Sequence, residues 1–355
     1  MADSIANWLA LREPADLSAR DAASESLSEL QLLLRAVCHG AHRARSIRVL
    51  DLATGTGSNF RYLAARLDHN QEWLLVDHDP LLLTEASVHI AAWGAAHNYR
   101  VSADGSRIVL EAEGSVISAE TRCLDLGALE ASPDIFAGRD LVTASALLDL
   151  VSDRWLRLLA AHCRENNAAA LFSLSYNGMF RCTPIEPEDR LILRLFNQHQ
   201  ARDKGLGGRA AGPDAVNCAQ RAFGAVGYEL RRRQSNWLLR PEQRELQHEL
   251  ISGWAEAAIE VAPEGGETSR SWLLRRLEHV RIGRSHASLT WMELPSIKSK
   301  MPLHVWDWMP SRRSCLPTIY YSMKPTRCPR WSCFVCLLGS RTSSWSGGSA
   351  AAGFK

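Results

Sequence analysis

The sequence lacks the long apolar runs of a membrane protein. No window in its 355 residues approaches the ~18 to 20 uninterrupted apolar residues that a membrane-spanning helix needs. The N-terminal stretch also has no basic residue ahead of its short apolar run, so it does not look like a secretory signal. We therefore expect a cytoplasmic protein whose nine cysteines are reduced thiols.

Lysine is scarce over most of the chain, and so is an excess of positive charge. Residues 1–295 hold 32 basic and 38 acidic side chains, and Lys204 is the only lysine among them. This mildly acidic composition gives no sign of the basic face that binds nucleic acid. We therefore expect neither nucleic acid nor a membrane as a partner.

The last sixty residues have a different composition. They carry nine basic residues against one acid, Asp307, and four of the nine cysteines. Only Cys333 and Cys336 have the C-x-x-C spacing of zinc ligands, and no second pair follows, so no metal site is predicted. Residues 291–355 are predicted to be an aberrant, disordered tail. A basic tail is one interpretation, and we favour the hypothesis that the reading frame shifts just after Thr290.

A strand, a glycine loop and a helix follow one another near residue 50. The segment Ser46–Leu52 is a short apolar run typical of a buried parallel strand. Gly55 and Gly57 then let the backbone approach a ligand closely, and a helix from about Ser58 offers free N–H groups to an anion. This order predicts a loop that binds a nucleotide-like ligand.

Two ligands fit such a loop differently. A dinucleotide site has the pattern G-x-G-x-x-G, but Phe60 occupies the third glycine position. S-adenosylmethionine has no pyrophosphate, and Asp51 at the end of the strand suits its ammonium group. A second acid is then expected at the end of the next strand to accept the ribose hydroxyls, and Asp77 stands there.

The sequence resembles the class I S-adenosylmethionine-dependent methyltransferases in four motifs that occur in family order. They are DLATGTG from Asp51, VDHDP from Val76, CLDL from Cys123 and DLVTASALLDLVS from Asp140. The resemblance covers about residues 45 to 180 and, more loosely, the rest to about 290; Ala53 stands where the family more often has glycine. It implies an α/β fold with a three-layer, mostly parallel Rossmann-like sheet, helices on both faces and an antiparallel closing strand.

The resemblance also implies which residues bind the cofactor. Asp77 would bind the ribose, Asp125 the adenine amino group and Leu126 the adenine ring. The strand of the fourth motif would end at Ala144 and Ser145, beside the methyl-transfer site. The implied set for S-adenosyl-L-methionine is Asp51, Ala53, Thr54, Gly55, Gly57, Asn59, Asp77, His78, Asp125, Leu126, Ala144 and Ser145.

The domain organisation follows from the same patterns. Residues 1–45 are expected to form an N-terminal helical cap and residues 46–290 the methyltransferase domain. Within that domain we expect a β-hairpin insertion at about 98–115 and a helical and loop substrate region at about 184–226. The glycine-rich stretch Gly205–Gly212 in this region is either a lid or a surface linker.

The absence of the family's N-P-P-Y tetrapeptide and the acidic main body point toward a small molecule or a protein as the methyl acceptor, and we favour a small molecule. The acceptor-site candidates are Tyr176, His199, Asp203 and Trp237, and His199 is the best general base by residue type. Two other functions stay open, a NAD-dependent Rossmann oxidoreductase and a non-catalytic relic of the methyltransferase fold. No oligomeric state is predicted.

Overall fold

An eleven-stranded sheet lies at the centre of the fold. The computed structural model describes residues 2–23, 28, 31, 46–67 and 70–298. Within them the strands are β1 (Ile47–Leu52), β2 (Gln71–Asp77), β3 (Arg100–Asp104), β4 (Arg107–Ala112), β5 (Ser115–Cys123), β6 (Leu141–Ser145), β7 (Ala169–Thr183), β8 (Tyr228–Leu230), β9 (Arg233–Gln234), β10 (Trp237–Leu239) and β11 (His286–Lys298). The helices are α1 (Ala2–Ala22), α2 (Ser58–Ala64), α3 (Pro80–Ala96), α4 (Asp153–Glu165), α5 (Asp189–Gln200), α6 (Ala215–Ala225), α7 (Arg244–Val261) and α8 (Gly266–Arg281).

The central strands are parallel and wound in two directions from β1. The order across the sheet is β10-β11-β7-β6-β1-β2-β5-β4-β3, with β8 and β9 also paired to β11. β1 pairs in parallel with both β2 and β6, β2 with β5, and β6 with β7. The strand order therefore reverses between β1 and β6. Open α/β sheets bind ligands outside the carboxyl ends of the strands at such a switch point.

Helices cover both faces of this sheet. Successive side chains of a strand point to opposite faces, so Val49 and Leu75 pack with α2 and α3 on one face, whereas Leu50 and Val76 pack with α4 and α6 on the other. The predicted three-layer, mostly parallel α/β fold is confirmed. Antiparallel β3 and β4 form a hairpin within the predicted insertion.

A third apolar cluster joins the N-terminal helix to the far edge of the sheet. It contains residues of α1, α5, α7 and α8 together with the second half of β7, β10 and β11. α1 thus occupies residues 2–22 of the predicted helical cap and packs against the body through Trp8, which is buried. Most of the remaining cap region lies outside the described residues.

β11 closes the sheet and runs antiparallel to β7 and β10, as the resemblance implied. It continues to Lys298, eight residues beyond the predicted domain boundary at 290. Leu294 is buried, and the Glu293 carboxylate lies 3.3 Å from Nε of Arg20. The residues after Thr290 pair and pack as a continuation of this strand, and we propose that the domain extends to about residue 298. The shift of the reading frame stays a prediction. The predicted tail beyond residue 298 lies outside the described residues.

Candidate functional site

A cavity of about 160 Å³ lies at the switch point, at the carboxyl ends of β1, β2, β5 and β6. We call it the switch-point cavity. Seven of the twelve residues predicted to bind a cofactor line it, and these are Ala53, Gly55, Asp77, His78, Asp125, Leu126 and Ser145. Residues from four separate strand ends therefore meet at one site.

The glycine loop after β1 has an unusual backbone. Ala53 and Gly55 both have φ of +54°, and Gly57, which precedes α2, has φ of +77°. Glycine adopts this left-handed region without the steric cost that a Cβ atom brings. A Cβ added at Gly55 would lie 3.1 Å from Leu9 Cδ1, so the loop and α1 approach each other closely there.

Asp51 supports this loop from within the fold. Its carboxylate is fully buried and accepts hydrogen bonds of 2.6 Å from Thr54 Oγ1 and 2.6 Å from Asn59 Nδ2. Burial raises the pKa of Asp51 to about 6, although these two hydrogen bonds oppose the shift. Asp51 is not among the residues that line the switch-point cavity, and neither are Thr54, Gly57, Asn59 and Ala144. Their part in binding a cofactor stays a prediction.

Asp77 is the buried carboxylate of the cavity wall. Its Oδ2 accepts a hydrogen bond of 2.8 Å from the Gly55 N–H, and its Oδ1 accepts one of 3.1 Å from the Asp79 N–H. His78 Nδ1 lies 3.2 Å from Oδ1, and this contact raises the pKa of His78. Because each carboxylate oxygen can accept two hydrogen bonds, Oδ2 keeps capacity for a ligand hydroxyl.

Asp125 and Leu126 form the side of the cavity below β5. Asp125 is exposed, and its Oδ1 accepts a hydrogen bond of 2.8 Å from the Gly127 N–H, which fixes the turn. The buried Leu126 presents an apolar side chain, and its carbonyl accepts a hydrogen bond of 2.7 Å from Trp155 Nε1. An apolar wall with a carboxylate at its rim suits a heteroaromatic ring that carries an amino group.

The cavity wall also contains residues that were not among the predicted site residues. Ile5, Leu9 and Arg12 of α1 line it, as do Lys204 and Leu206 at the start of the glycine-rich stretch. The spacing of the α1 residues predicts one helical face, but nothing in the sequence says where that face packs.

The glycine-rich stretch is tied to the segment after β6. The Ser152 N–H donates to the Leu206 carbonyl at 3.1 Å, and the Ala211 and Gly212 N–H groups donate to the carbonyls of Val151 and Asp149 at 2.7 and 2.9 Å. These hydrogen bonds attach the stretch to the segment after β6, and its Leu206 lines the switch-point cavity.

A second, smaller cavity of about 40 Å³ adjoins the first. Arg12, Ala146 and Leu150 line both cavities. We call the second one the aromatic cavity, because its lining includes Trp8, Tyr176, Phe196, Trp237 and Trp291. A molecule in the aromatic cavity would be separated from the switch-point cavity only by this shared wall.

Two of the four acceptor-site candidates line the aromatic cavity. Tyr176 donates a hydrogen bond of 3.0 Å to Asn197 Oδ1, and burial raises its pKa well above 10, so it stays protonated. Trp237 Nε1 donates a hydrogen bond of 3.0 Å to Asp16 Oδ1. Both side chains can therefore shape the cavity, but neither is placed to act as a base.

The other two candidates, His199 and Asp203, line neither cavity. His199 is fully buried with Nε2 3.2 Å from Glu260 Oε2, and burial lowers its pKa to about 3. Asp203 accepts a hydrogen bond of 2.7 Å from the Gly205 N–H and holds a turn. The burial of His199 and its distance from both cavities do not favour the predicted role as a general base, which stays a prediction.

Asp149 is the acid of the aromatic cavity that sequence reasoning missed. It is 5% exposed, and burial raises its pKa to about 6. Its own N–H and that of Tyr176 oppose the shift, as do the charges of Arg12 and Lys204. The signal was present, because Asp149 lies in the fourth motif, directly after β6.

Together these elements define a doubly wound α/β protein with a cavity at its switch point. No family model and no curated protein matches the sequence. Solved structures with a similar chain course include a SAM-dependent methyltransferase from Geobacter sulfurreducens in complex with S-adenosyl-L-homocysteine, with 16% identity, coverage of 77% of this chain and 90% of that chain, and a TM-score of 0.36. The YcgJ protein from Bacillus subtilis has 15% identity, coverage of 76% and 99%, and a TM-score of 0.37. The cyclopropane synthase MmaA2 from Mycobacterium tuberculosis has 11% identity, coverage of 73% and 82%, and a TM-score of 0.35.

The described residues contain no helix long and apolar enough to cross a membrane. In the same part of the chain, no group of three or more His, Cys, Asp or Glu side chains is arranged to hold a metal ion.

Proposed function

We propose that the protein transfers a methyl group from S-adenosyl-L-methionine to a small-molecule acceptor. The observation that carries this proposal is the switch-point cavity, where a buried carboxylate, Asp77, lies beside a glycine loop and faces an apolar wall with an acid at its rim. This combination matches a ligand that has ribose hydroxyls and an adenine ring but no pyrophosphate.

The residues present fit each part of this cofactor. Asp77 would accept hydrogen bonds from the ribose hydroxyls, and Leu126 with Asp125 would contact the adenine ring and its amino group. Arg12 and Lys204 line the same cavity and would pair with the carboxylate of the methionine moiety. When bound, the cofactor supplies a methyl group on a sulfonium, which is already activated for displacement.

The chain's own contribution would be positioning. Methyl transfer is an in-line displacement, so the acceptor atom must be held about 3 to 3.5 Å from the methyl carbon and opposite its bond to sulfur. Ala146 and Leu150 lie between the two cavities and have small or apolar side chains. An acceptor in the aromatic cavity would approach the methyl group past these residues, away from bulk water.

The packing around Phe60 favours this cofactor over a dinucleotide. The Phe60 ring is fully buried, with its centroid 4.9 Å from that of Trp73 in an edge-to-face contact. It occupies the position where a dinucleotide site has a glycine that brings helix and strand together. A non-catalytic relic would be favoured by loss of the strand that closes the sheet. That strand, β11, is present, which supports a complete fold.

Isothermal titration calorimetry on the purified chain tests the proposal. We expect S-adenosyl-L-methionine and S-adenosyl-L-homocysteine to bind and NADH not to bind. The Asp77→Ala variant should bind S-adenosyl-L-homocysteine at least about tenfold more weakly, because hydrogen bonds to a charged group are lost. Asp104→Ala, at the exposed hairpin turn, is the matched control and should bind like the unchanged protein. Binding of NADH, or unchanged affinity in Asp77→Ala, would contradict the proposal.

A further inference from the structure

Asp149 is a buried acid in a cavity whose other walls are mainly aromatic rings. Among the described residues, no group donates a hydrogen bond to its Oδ1 atom, which is inaccessible to solvent. A buried carboxylate costs free energy unless it is paired and hydrogen-bonded. Backbone N–H groups of Asp149 and Tyr176 donate to this carboxylate, and its Oδ1 atom keeps the capacity to accept from a donor that a ligand brings.

The charges around the aromatic cavity favour a cation. Arg12 is the one basic residue in its lining, and it is already paired with Asp16 through hydrogen bonds of 2.9 Å from Nε and 3.1 Å from Nη2. Asp149 is the one acid in that lining, and no ion pair to it is present among the described residues. Lys204 lies on the wall of the neighbouring switch-point cavity. The aromatic cavity therefore keeps one carboxylate that the pairing of Arg12 does not neutralise.

The rings of this cavity suit the same kind of ligand. The faces of aromatic rings attract cations, and those of tryptophan do so most strongly. The guanidinium of Arg12 already lies 5.0 Å from the ring centroid of Trp237 and 5.7 Å from that of Trp291. A volume of about 40 Å³ holds only a few atoms, so it fits the head group of a ligand and not a large ring system.

From this arrangement we infer that the methyl acceptor is an amine whose nitrogen enters the aromatic cavity as an ammonium, and that the Asp149 carboxylate binds it and takes its proton. This inference rests on the proposed function. An ammonium combines a positive charge for the rings with an N–H donor for Oδ1. A carboxylate or phosphate acceptor would instead face the charge of Asp149.

The transfer balances with these groups. Asp149 takes a proton from the ammonium, which frees the nitrogen lone pair. The lone pair forms a bond to the methyl carbon while the carbon–sulfur bond breaks, and the electron pair of that bond stays on sulfur, which loses its positive charge. The methylated nitrogen becomes the cation, and the proton on Asp149 passes to water when the products leave. Burial, which raises the pKa of Asp149, brings its basicity closer to that of an amine.

Binding of a small probe tests this assignment apart from the cofactor. Dimethylammonium chloride is titrated into the full chain, and binding is followed by quenching of tryptophan fluorescence, because Trp237 and Trp291 line the cavity. Sodium acetate is the anionic probe of similar size. We expect dimethylammonium to bind and acetate not to compete. The isosteric Asp149→Asn variant should bind dimethylammonium at least about tenfold more weakly. Asp203→Asn, which changes a carboxylate that lines neither cavity, should bind it normally.

The pH dependence separates a role in binding from a purely structural one. In the unchanged protein the affinity for dimethylammonium should fall by about tenfold per pH unit below the pKa of Asp149, about 6, whereas Asp149→Asn should show no such fall. Burial raises the pKa of Tyr176 well above 10, so Tyr176 does not produce the fall. Burial also raises the pKa of Asp16, which pairs with Arg12, but Asp16 is present in both proteins, so the difference between them reports Asp149. Equal affinity in Asp149→Asn, or binding of acetate in preference, would overturn the inference. Failure of S-adenosyl-L-homocysteine to bind in calorimetry would instead contradict the cofactor, and the two failures are thus distinguishable.

Discussion

At the scale of single residues, Ala53 has a backbone conformation that glycine adopts more easily than alanine. Its φ of +54° lies in the left-handed region, where a residue with a Cβ atom costs about 1 to 2 kcal/mol relative to the right-handed region. The hydrogen bonds that Asp51 accepts from Thr54 and Asn59 hold the loop after β1 in this shape. The loop thus keeps a strained backbone at the wall of a proposed ligand site.

We expect Ala53→Gly to raise the free energy of unfolding by about 0.5 to 1 kcal/mol, because the relief of strain exceeds the extra entropy of glycine in the unfolded chain. Urea denaturation at neutral pH measures this change. Ala92→Gly, at an exposed position within α3, is the control and should lower the same quantity by about 1 kcal/mol. A loss of similar size in both variants would show that Ala53 is not strained.

Sequence patterns located acids at strand ends but did not separate their roles. Asp51 and Asp77 both stand near the carboxyl ends of their strands, β1 and β2, yet the first accepts hydrogen bonds inside the loop and the second lines the cavity. The difference depends on which partners lie nearby in space, which no spacing along the chain reveals. Burial and the lining of a cavity are properties of the folded chain and cannot be seen in the sequence. His199 was therefore preferred by residue type, and Asp149 was missed.

At the scale of secondary structure, α1 contributes side chains to the walls of both cavities. Arg61 of α2 links it to the glycine loop, because its Nη2 pairs with the Glu13 carboxylate at 2.5 and 2.7 Å while its Nη1 donates to the Thr56 carbonyl at 2.7 Å. The pattern of a helix near residues 2 to 22 was predictable. Its location over the cavities was not, since the contact joins residues 48 positions apart.

Glu13→Gln should weaken the binding of S-adenosyl-L-homocysteine by about fivefold, because a partly buried ion pair that positions α1 over the glycine loop is lost. Calorimetry measures the affinity, and the temperature of unfolding should change little. Asp21→Asn is the matched control, since Asp21 joins α1 to the residues just after α2 through a more exposed pair with Arg66. Equal effects of the two changes would mean that the position of α1 does not depend on Glu13.

At the scale of the whole molecule, the first helix and the last strand of the described chain are in contact. Arg20 near the end of α1 and Glu293 of β11 form a buried pair, and the Arg20 guanidinium lies 3.8 Å from the ring centroid of Tyr62. Ser296 Oγ accepts a hydrogen bond of 2.6 Å from the Ala170 N–H of β7. The resemblance implied the mostly parallel sheet and the antiparallel closing strand. The end of that strand was not predictable, because a change of composition at its C-terminal side masked its alternation.

Shortened chains test where the domain ends. A chain of residues 1–298 should unfold cooperatively on heating and bind S-adenosyl-L-homocysteine as the full chain does. A chain of residues 1–290 should lose cooperative unfolding, because it lacks buried Leu294 and the partners of Arg20 and Ala170. Circular dichroism with heating measures the transition. Equal transitions in both shortened chains would return the boundary to residue 290.

The shared wall between the cavities has a thermodynamic consequence. Arg12 lines both cavities. A ligand in one cavity that moves or pairs with the Arg12 side chain therefore changes the affinity of the other cavity for its own ligand. Such coupling is reciprocal, since the factor by which the methyl donor alters acceptor binding equals the factor by which the acceptor alters donor binding. If both proposed ligands contact this guanidinium, their binding is cooperative, whichever arrives first.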